Sequence, residues 1–408
     1  MEAVLKILLL TQWFDPEPTF KGLVFAKQLR AEGHEVEVIT GFPNYPGGKL
    51  YTGYKQRWLQ TESIDGIRVN RVPLYPSHDG SGVKRALNYV SFAVTSCLFG
   101  LFMAKKAQVI YAYHPPLTVG MSAVCIGFFR RIPVVYDIQD MWPDTLQATG
   151  MLNNRKALAF VASICGWIYR RASALVVLSP GFKKLLLARG VPAHKVSVIY
   201  NWCDASALMQ PQITNKRPIE MENHFNVVFA GTMGKAQALD SVLKAAAVVQ
   251  KTNTKVKFVF VGGGVEVEHL KTVACELLLN NVLFIPRMPM SEVGQVLAAA
   301  DVLLVHLRND PLFEITVPSK TQAYMAVGKP ILMAVSGDAA NLIEEASCGL
   351  AVQAENETAI AEAVLTLAAM PHDALVAMGR RGAKYYQEEL SLEVGVKKFV
   401  EVFEGVAR

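Results

Sequence analysis

The chain has 408 residues, of which 51% are hydrophobic and 19% are charged. This length is too great for one hydrophobic core and suits two domains of ordinary size, while the composition excludes an intrinsically disordered protein. The net charge of +6 hides an asymmetry, because residues 1–200 carry 23 Lys and Arg against 12 Asp and Glu, whereas residues 201–408 carry 18 against 23.

The amino terminus carries Glu2 where a signal peptide has basic residues, and its apolar run ends at Leu10. We interpret this run as the first buried strand. The six cysteines lie at least 28 residues apart, which excludes a CxxC redox pair and the spacing of clustered zinc ligands. We therefore expect a protein of the reducing cytoplasm that binds no metal ion.

Apolar runs of strand length alternate with helix-like stretches along almost the whole chain. This alternation is typical of βαβ units, and runs that are apolar throughout predict parallel strands covered by helices on both faces. The predicted strands of the first half are 5–10, 36–40, 67–72, 109–113, 134–136, 174–178 and 196–199. Those of the second half are 227–230, 256–261, 282–285, 302–305, 330–333 and 350–352.

The segment 201–223 contains two prolines and no periodic pattern, so we interpret it as a linker. We expect an α/β protein in which two Rossmann-like domains, residues 1–200 and 201–384, face each other across a cleft. A C-terminal helix at about 385–408 is expected to pack back on the first domain. Ligands of such sheets bind at the carboxyl ends of the strands, so the loops that follow strands are the candidate sites.

Two of these loops combine a glycine with a lysine at a helix start. Gly22 follows Lys21 after the first strand, and Gly231 precedes Lys235 after the strand at 227–230. A glycine there lets a phosphate approach the free amides of a helix amino terminus. The loop at 262–264 has three glycines but lacks the GxGxxG spacing, which favours a structural turn.

Six pairs of adjacent basic residues lie between Lys84 and Lys184, opposed by three aspartates. A single pair is typical of a helix end, but six pairs around apolar segments indicate an anionic surface. The segment 86–104 is uncharged and long enough to cross a bilayer. Its polar residues and its place inside one domain instead favour a packed helix with one membrane-touching face, or a wholly buried helix.

We therefore expect peripheral attachment to the inner, anionic face of the cell membrane and no binding of nucleic acid. The residues expected to contact the membrane are Lys84, Arg85, Lys105 and Lys106. Each basic residue near anionic lipid contributes about 1 kcal/mol.

The most informative stretch is NDPLFEITVPSKTQAYMAVGKPIL at 309–332. Together with GHEV at 33–36, DIQDMWPD at 137–144, IYNW at 199–202 and the segment 231–240, it resembles the signature of family 4 glycosyltransferases of the GT-B fold. The resemblance covers essentially the full length. It implies a retaining transferase whose donor is a nucleotide diphosphate sugar, with a UDP-sugar favoured, and which needs no cofactor.

Within this family, the sequence most resembles transferases of bacterial surface polysaccharide assembly that handle L-fucose or N-acetyl-L-fucosamine. This implies a lipid-linked saccharide as acceptor, in O-antigen or capsule synthesis. The resemblance places Glu314 near the donor sugar and a helix start at the diphosphate. The residues of that helix start are Thr316, Val317, Ser319 and Lys320.

Three departures from the family pattern concern donor binding. The ribose-binding glutamate falls on Gln322, or on Ala323 in a register counted back from Gly328. A phosphate-binding arginine is replaced by threonine after Gly231. The nearby lysine of the family falls on Gln237, so Lys235 is the candidate substitute, forming with Lys320 a clamp on the diphosphate.

In the first domain, Gln139 stands where many family members have a histidine that contacts the donor hexose. This loss fits a donor unlike glucose, such as a 6-deoxy sugar. Asp140 either orients the acceptor or caps a helix.

Two other functions share parts of this pattern. A sugar-nucleotide epimerase has the same two-domain architecture, and turnover of a sugar nucleotide without acceptor would favour it. A two-lobed binding protein would clamp a small ligand without chemistry, but such proteins are usually exported.

Overall fold

The structure is a computed structural model that describes residues 4–77, 82–204 and 219–407. The chain divides into two compact units, unit 1 with Met1–Tyr200 and Leu392–Arg408, and unit 2 with Asn201–Ser391. Most of the predicted linker, at 205–218, lies outside the described residues. Each unit is a Rossmann-like layer of parallel strands flanked by helices, which confirms the predicted fold class.

Unit 1 contains an eight-stranded sheet in the order β3-β4-β2-β1-β5-β6-β7-β8. The strands β1 to β8 are Lys6–Leu10, Glu35–Gly41, Gln60–Ile64, Ile67–Val72, Val109–Tyr113, Val134–Ile138, Ala174–Val177 and Val196–Val198. Strands β5 and β6 are buried at every residue, as expected for strands covered by helices on both faces. The helices α1 to α6 are Leu23–Ala31, Gly82–Phe102, Leu117–Arg130, Asp144–Ala148, Arg155–Arg171 and Pro180–Ala188.

Strand β3 was not predicted, and it is the antiparallel strand at the edge of this sheet. It joins β4 through a tight turn in which Asp65 and Gly66 both have positive φ, at 49° and 78°. An Asp-Gly pair is the preferred sequence for such a hairpin turn. The thirteen predicted strands are all present within a few residues of their predicted bounds.

Unit 2 contains a six-stranded parallel sheet in the order β11-β10-β9-β12-β13-β14. The strands β9 to β14 are Phe225–Thr232, Val256–Gly263, Val282–Pro286, Val302–His306, Ile331–Ala334 and Gly349–Ala351. The helices α7 to α14 are Asp240–Thr252, Val267–Glu276, Met290–Ala299, Pro311–Glu314, Lys320–Val327, Asp338–Glu345, Glu357–Ala369 and His372–Tyr385. A π-helical segment, Tyr386–Leu390, follows α14.

The last helix, α15 at Leu392–Ala407, belongs to unit 1. Its buried residue Phe399 packs edge-on against Phe25 of α1 and Tyr111 of β5, with ring centroids 5.3 and 5.5 Å apart. The chain therefore returns to the unit in which it began.

Candidate active site

The strand order of unit 2 reverses between β9 and β12, and ligands of open α/β sheets bind at such a point. The two strands pair through Val227 with Val302 and Val228 with Leu303. Beyond these pairs, the Tyr324 hydroxyl of α11 accepts a hydrogen bond from the Ala230 amide at 2.8 Å and donates to the Ala230 carbonyl at 3.2 Å. Tyr324 thereby fixes the end of β9, a role that the sequence did not reveal.

Lys320, the first residue of α11, directs its ammonium to this same point. Its Nζ lies 3.5 Å from the centroid of the Phe229 ring, is buried, and has no hydrogen-bond partner among the described residues. Burial lowers the pKa of Lys320 to about 7. A buried ammonium without an acceptor is costly, because its lost hydration is not replaced. The arrangement calls for an anionic ligand.

Gly231 lies directly against this ammonium. A Cβ atom at residue 231 would be 3.2 Å from Lys320 Nζ, and its φ of 142° is one that L side chains rarely adopt. A side chain at residue 231 would therefore press on the ammonium. Gly231 and Lys320, both predicted to bind the donor, thus lie side by side, and their contact with a donor stays a prediction.

The turn Lys235–Gln237 follows β9 and is held from two sides. The His306 ring, at the end of β12, donates from Nδ1 to the Gln237 carbonyl at 2.6 Å, and its Nε2 accepts from the Glu355 amide at 3.2 Å. Burial lowers the pKa of His306, so the ring stays neutral and can make both of these hydrogen bonds. The Gln237 side chain accepts from the Gly234 amide at 3.0 Å, so it closes the turn, whereas Lys235 is exposed.

The glycine loop at 262–264 supports the same turn from the neighbouring strand. A Cβ at Gly262 would lie 2.0 Å from the Gly231 carbonyl oxygen, and one at Gly264 would lie 2.1 Å from the Met233 carbonyl oxygen. These glycines let two loop backbones touch. The interpretation as a structural turn is confirmed.

Glu314 ends the short helix α10 and is exposed. Its backbone packs on the turn after β13, where a Cβ at Gly337 would lie 2.0 Å from the Glu314 carbonyl oxygen. The Asp310 side chain begins α10 by accepting from the Leu312 amide at 2.9 Å. Within the part of the chain that the structure describes, the Glu314 carboxylate makes no ion pair, so it is available to a ligand.

The residues between Glu314 and Lys320 differ in what they offer a ligand. The Thr316 hydroxyl donates to the Leu312 carbonyl at 2.7 Å, and Val317 is buried. Ser319 is exposed at the start of α11, and its side chain caps none of the helix amides. Helix starts leave amides without intrahelical partners, so Ser319 and Lys320 present the anion-binding end of α11.

The Gln322 side chain turns inward. It is 2% exposed, and its amide nitrogen donates to the carbonyls of Ser319 and Pro318 at 3.0 and 3.1 Å. Ala323 is the half-exposed residue of this turn. Gln322 as the ribose-binding residue therefore stays a prediction, with Ala323, which offers no side-chain hydrogen bond to a ribose, as the alternative.

The prediction that a phosphate binds at Gly22 is wrong. The Asp15 carboxylate accepts from the Leu23 amide at 2.6 Å, and a Cβ at Gly22 would lie 2.3 Å from its Oδ2. The anion at the start of α1 is thus a side chain of the protein, and glycine is needed for its close approach. The Asp15 carboxylate therefore occupies the position that was predicted for a phosphate.

Lys21, predicted beside that phosphate, is fully buried in an ion pair. Its Nζ donates to Asp137 Oδ2 at 2.6 Å, and the Tyr111 hydroxyl donates to the same oxygen at 2.6 Å. Asp137 Oδ1 accepts from Gln139 Nε2 at 2.8 Å. This buried cluster fixes the orientation of Gln139 at the carboxyl end of β6.

Asp140 follows Gln139, and burial raises its pKa to about 6. Asp140 does not cap α4, because this helix begins after Pro143 and has no side-chain cap. The helix-cap alternative is therefore wrong, and the acceptor-orienting role stays a prediction. At the same sheet edge, burial lowers the pKa of His114 to about 3, so this ring, 5.2 Å from that of Trp142, is neutral.

The two halves of the chain match two described domain families. Residues 23–202 match the family described as glycosyl transferase 4-like domain, and residues 212–385 match glycosyl transferases group 1. These matches account for most of unit 1 and most of unit 2.

Two curated relatives and one solved structure are similar over most of the chain. The probable glycosyltransferase WbjE of Pseudomonas aeruginosa is 26% identical over 71% of this chain and 74% of its own length. The putative colanic acid biosynthesis glycosyl transferase WcaI of Escherichia coli is 26% identical over 79% and 82%. Anabaena Alr3699/HepE, solved in complex with UDP-glucose, superimposes with a TM-score of 0.69 at 17% identity, covering 98% of this chain and 100% of that one.

Proposed function

We propose the substrates of this protein, which is a GT-B glycosyltransferase because its two halves belong to the glycosyl transferase 4-like and group 1 families. It transfers a sugar from a nucleotide diphosphate sugar to a lipid-linked saccharide during the assembly of a surface polysaccharide such as O-antigen or capsule. The names of the two bacterial relatives, one of them assigned to colanic acid biosynthesis, support this pathway.

The observation that carries the proposal is the Lys320 ammonium, which is buried beside Gly231 at the reversal point of the unit 2 sheet and has no hydrogen-bond acceptor among the described residues. A diphosphate supplies the missing acceptors and the opposite charge. The amino terminus of α11 adds its dipole to the same position.

We also propose the identity of the donor. A UDP-sugar is favoured, and the UDP and UDP-glucose complexes of the Anabaena structure support this choice. The sugar is N-acetyl-L-fucosamine or L-fucose. Gln139 supports this choice of sugar, because it stands where many family members have a histidine that contacts the donor hexose. Its side chain donates a hydrogen bond to Asp137.

The proposed transfer retains configuration at the anomeric carbon. The bond from that carbon to the diphosphate oxygen breaks, the acceptor hydroxyl forms its bond on the same face, and its proton passes to the departing phosphate oxygen. Lys320, assisted by Lys235, stabilises the negative charge that grows on this leaving group. Glu314 lies beside the donor sugar, and Asp140 orients the acceptor hydroxyl.

Donor affinity is expected to weaken as the pH rises above about 7, because a diphosphate binds the protonated form of Lys320. Above that pKa the protonated fraction falls about tenfold per pH unit, so Kd for a UDP-sugar should increase by up to about tenfold per unit. Titration calorimetry on the wild type and on Lys320→Arg, whose guanidinium stays charged, measures this dependence. A wild-type Kd that does not change with pH would remove the ammonium from the diphosphate site.

Chelation with EDTA is expected to leave the transfer rate unchanged, because lysine and helix amides neutralise the leaving group in this mechanism. The rate is measured with the purified enzyme before and after EDTA treatment, and again after Mg²⁺ is added back. A strict requirement for a divalent cation would contradict the lysine clamp.

The function itself is tested with a panel of UDP-, GDP- and dTDP-sugars. Ligand binding to the native state raises the unfolding temperature, so thermal shifts identify the donor. The donor is then incubated with a lipid-linked saccharide, and the product linkage is determined by NMR. Consumption of the donor without acceptor, yielding an epimer, would contradict transfer and establish the epimerase alternative.

A further inference from the structure

Three helices of unit 1 form one layer on the same side of its sheet. Helix α3 packs against both α2 and α5. The Ser96 and Ser122 hydroxyls lie 3.0 Å apart between α2 and α3, and the Arg171 guanidinium of α5 lies 5.8 Å from the Phe128 ring of α3. Their outward surfaces are therefore neighbours.

These outward surfaces are apolar. Exposed apolar residues recur every three or four positions along α2 from Val83 to Phe102, which is 80% exposed. On α3, Phe128 and Phe129 are 64% and 68% exposed, and on α5 Phe160 is 67% exposed. We call the outward surface of these three helices the apolar face. Exposed apolar residues on neighbouring helices are typical of an interaction surface.

Basic residues stand at the ends of the apolar face. Lys84 and Arg85 lie in the first turn of α2, and Lys105 and Lys106 follow its last turn. Similar pairs stand at 130–131, 155–156 and 170–171, at the end of α3 and at both ends of α5. None of the three helices contains an aspartate or glutamate.

Burial distinguishes α2 from an ordinary core helix. The helix is long and apolar enough to cross a membrane. Only 28% of its most apolar 18-residue stretch is buried inside the protein, whereas the core helix of a soluble protein is mostly buried. It is also packed along the sheet of unit 1, so it lies on that unit and does not span. An apolar face with basic residues at its edges is typical of a helix that lies in a lipid interface.

We propose that the apolar face docks unit 1 on an anionic lipid bilayer, with the phenylalanines in the interface and the basic pairs at the lipid headgroups. Charge complementarity favours lipid over a second copy of this chain, because two such faces would bring like-charged edges together. Asn88, in the first half of α2, contacts Asn44 and Gln12, which lie in the loops after β2 and β1. Docking therefore holds the carboxyl edge of this sheet near a lipid-linked acceptor, which rests on the proposed function.

The experiment compares sedimentation with phosphatidylglycerol vesicles and with phosphatidylcholine vesicles at low salt. The wild type should sediment with the first and much less with the second. The double variant Phe128→Glu, Phe129→Glu should lose this binding. The matched control Val248→Glu, Leu278→Glu makes the same charge change at exposed residues of unit 2 and should bind like the wild type.

The headgroup contribution is tested by replacing Lys84, Arg85, Lys105 and Lys106 together with Gln. At about 1 kcal/mol per basic residue, partitioning should fall about a thousandfold. Donor-induced thermal shifts, measured without vesicles, show that each variant is folded and test the donor site separately.

Three outcomes would overturn the proposal. In the first, the wild type does not sediment with the anionic vesicles. In the second, the Phe128, Phe129 variant binds as well as its control. In the third, the wild type is a dimer in solution that this variant dissociates while vesicle binding persists, and the face is then an interface between copies of the chain.

Discussion

Replacing Lys320 with methionine is expected to lower the transfer rate by about 10²-fold or more, the effect of losing one preorganised group that stabilises a leaving anion. The same variant should be more stable than the wild type without ligand. Methionine removes a buried ammonium for which the described part of the chain supplies no acceptor, and an unsatisfied buried polar group costs about 1–3 kcal/mol. Opposite changes in activity and stability are typical of a residue retained for binding.

Transfer rates and thermal unfolding of the two proteins measure both effects. Lys244→Met is the matched control, because Lys244 is an exposed lysine of α7 that pairs with Glu357 at 3.7 Å. This control should change neither quantity by much. A Lys320→Met enzyme that is destabilised and fully active would show that the ammonium has a structural role and no part in donor binding.

Replacing Glu314 with glutamine is expected to abolish measurable transfer, a loss of about 10²–10³-fold, while leaving the fold intact. The carboxylate is exposed and has no ion-pair partner among the described residues, so its charge does not support the fold. Its backbone position is set by Gly337 and Asp310, which the substitution does not touch. Binding of the UDP-sugar should persist, because the diphosphate contacts lie at Lys320.

The measurements are the transfer rate and the donor-induced thermal shift of Glu314→Gln. Glu345→Gln serves as the control, since Glu345 is an exposed glutamate of α12 away from the end of β13. Turnover of Glu314→Gln at the wild-type rate would exclude this carboxylate from the reaction.

The sequence predicts the sheets well because buried parallel strands are apolar at every position. Strand β5 shows this pattern throughout, and β6 shows it up to Asp137. Both strands begin where predicted, and β6 extends two residues further, to Ile138. Strand β3 has the sequence QTESI and alternates between partly buried and exposed residues, so it carries no such run. Its one signal is the Asp65-Gly66 turn that follows it.

The site is predicted less completely, because side-chain direction depends on contacts that are distant in sequence. Lys21 stands beside a glycine at a helix start, yet it turns inward to Asp137, which is 116 residues away. Gln322 and Ala323 are neighbours on one helix, and packing alone decides which of them faces outward. Tyr324 could have been found from its spacing, since it follows Lys320 by one helical turn.

The donor diphosphate is expected to bind at Gly231 and Lys320 in unit 2. A crystal structure of the protein with UDP tests this expectation most directly. A diphosphate oxygen is expected at about 2.7–2.9 Å from Lys320 Nζ, the usual length of a charge-assisted hydrogen bond, with Gly231 in contact with the phosphate. UDP bound elsewhere, with Lys320 Nζ still contacting only the Phe229 ring, would contradict it.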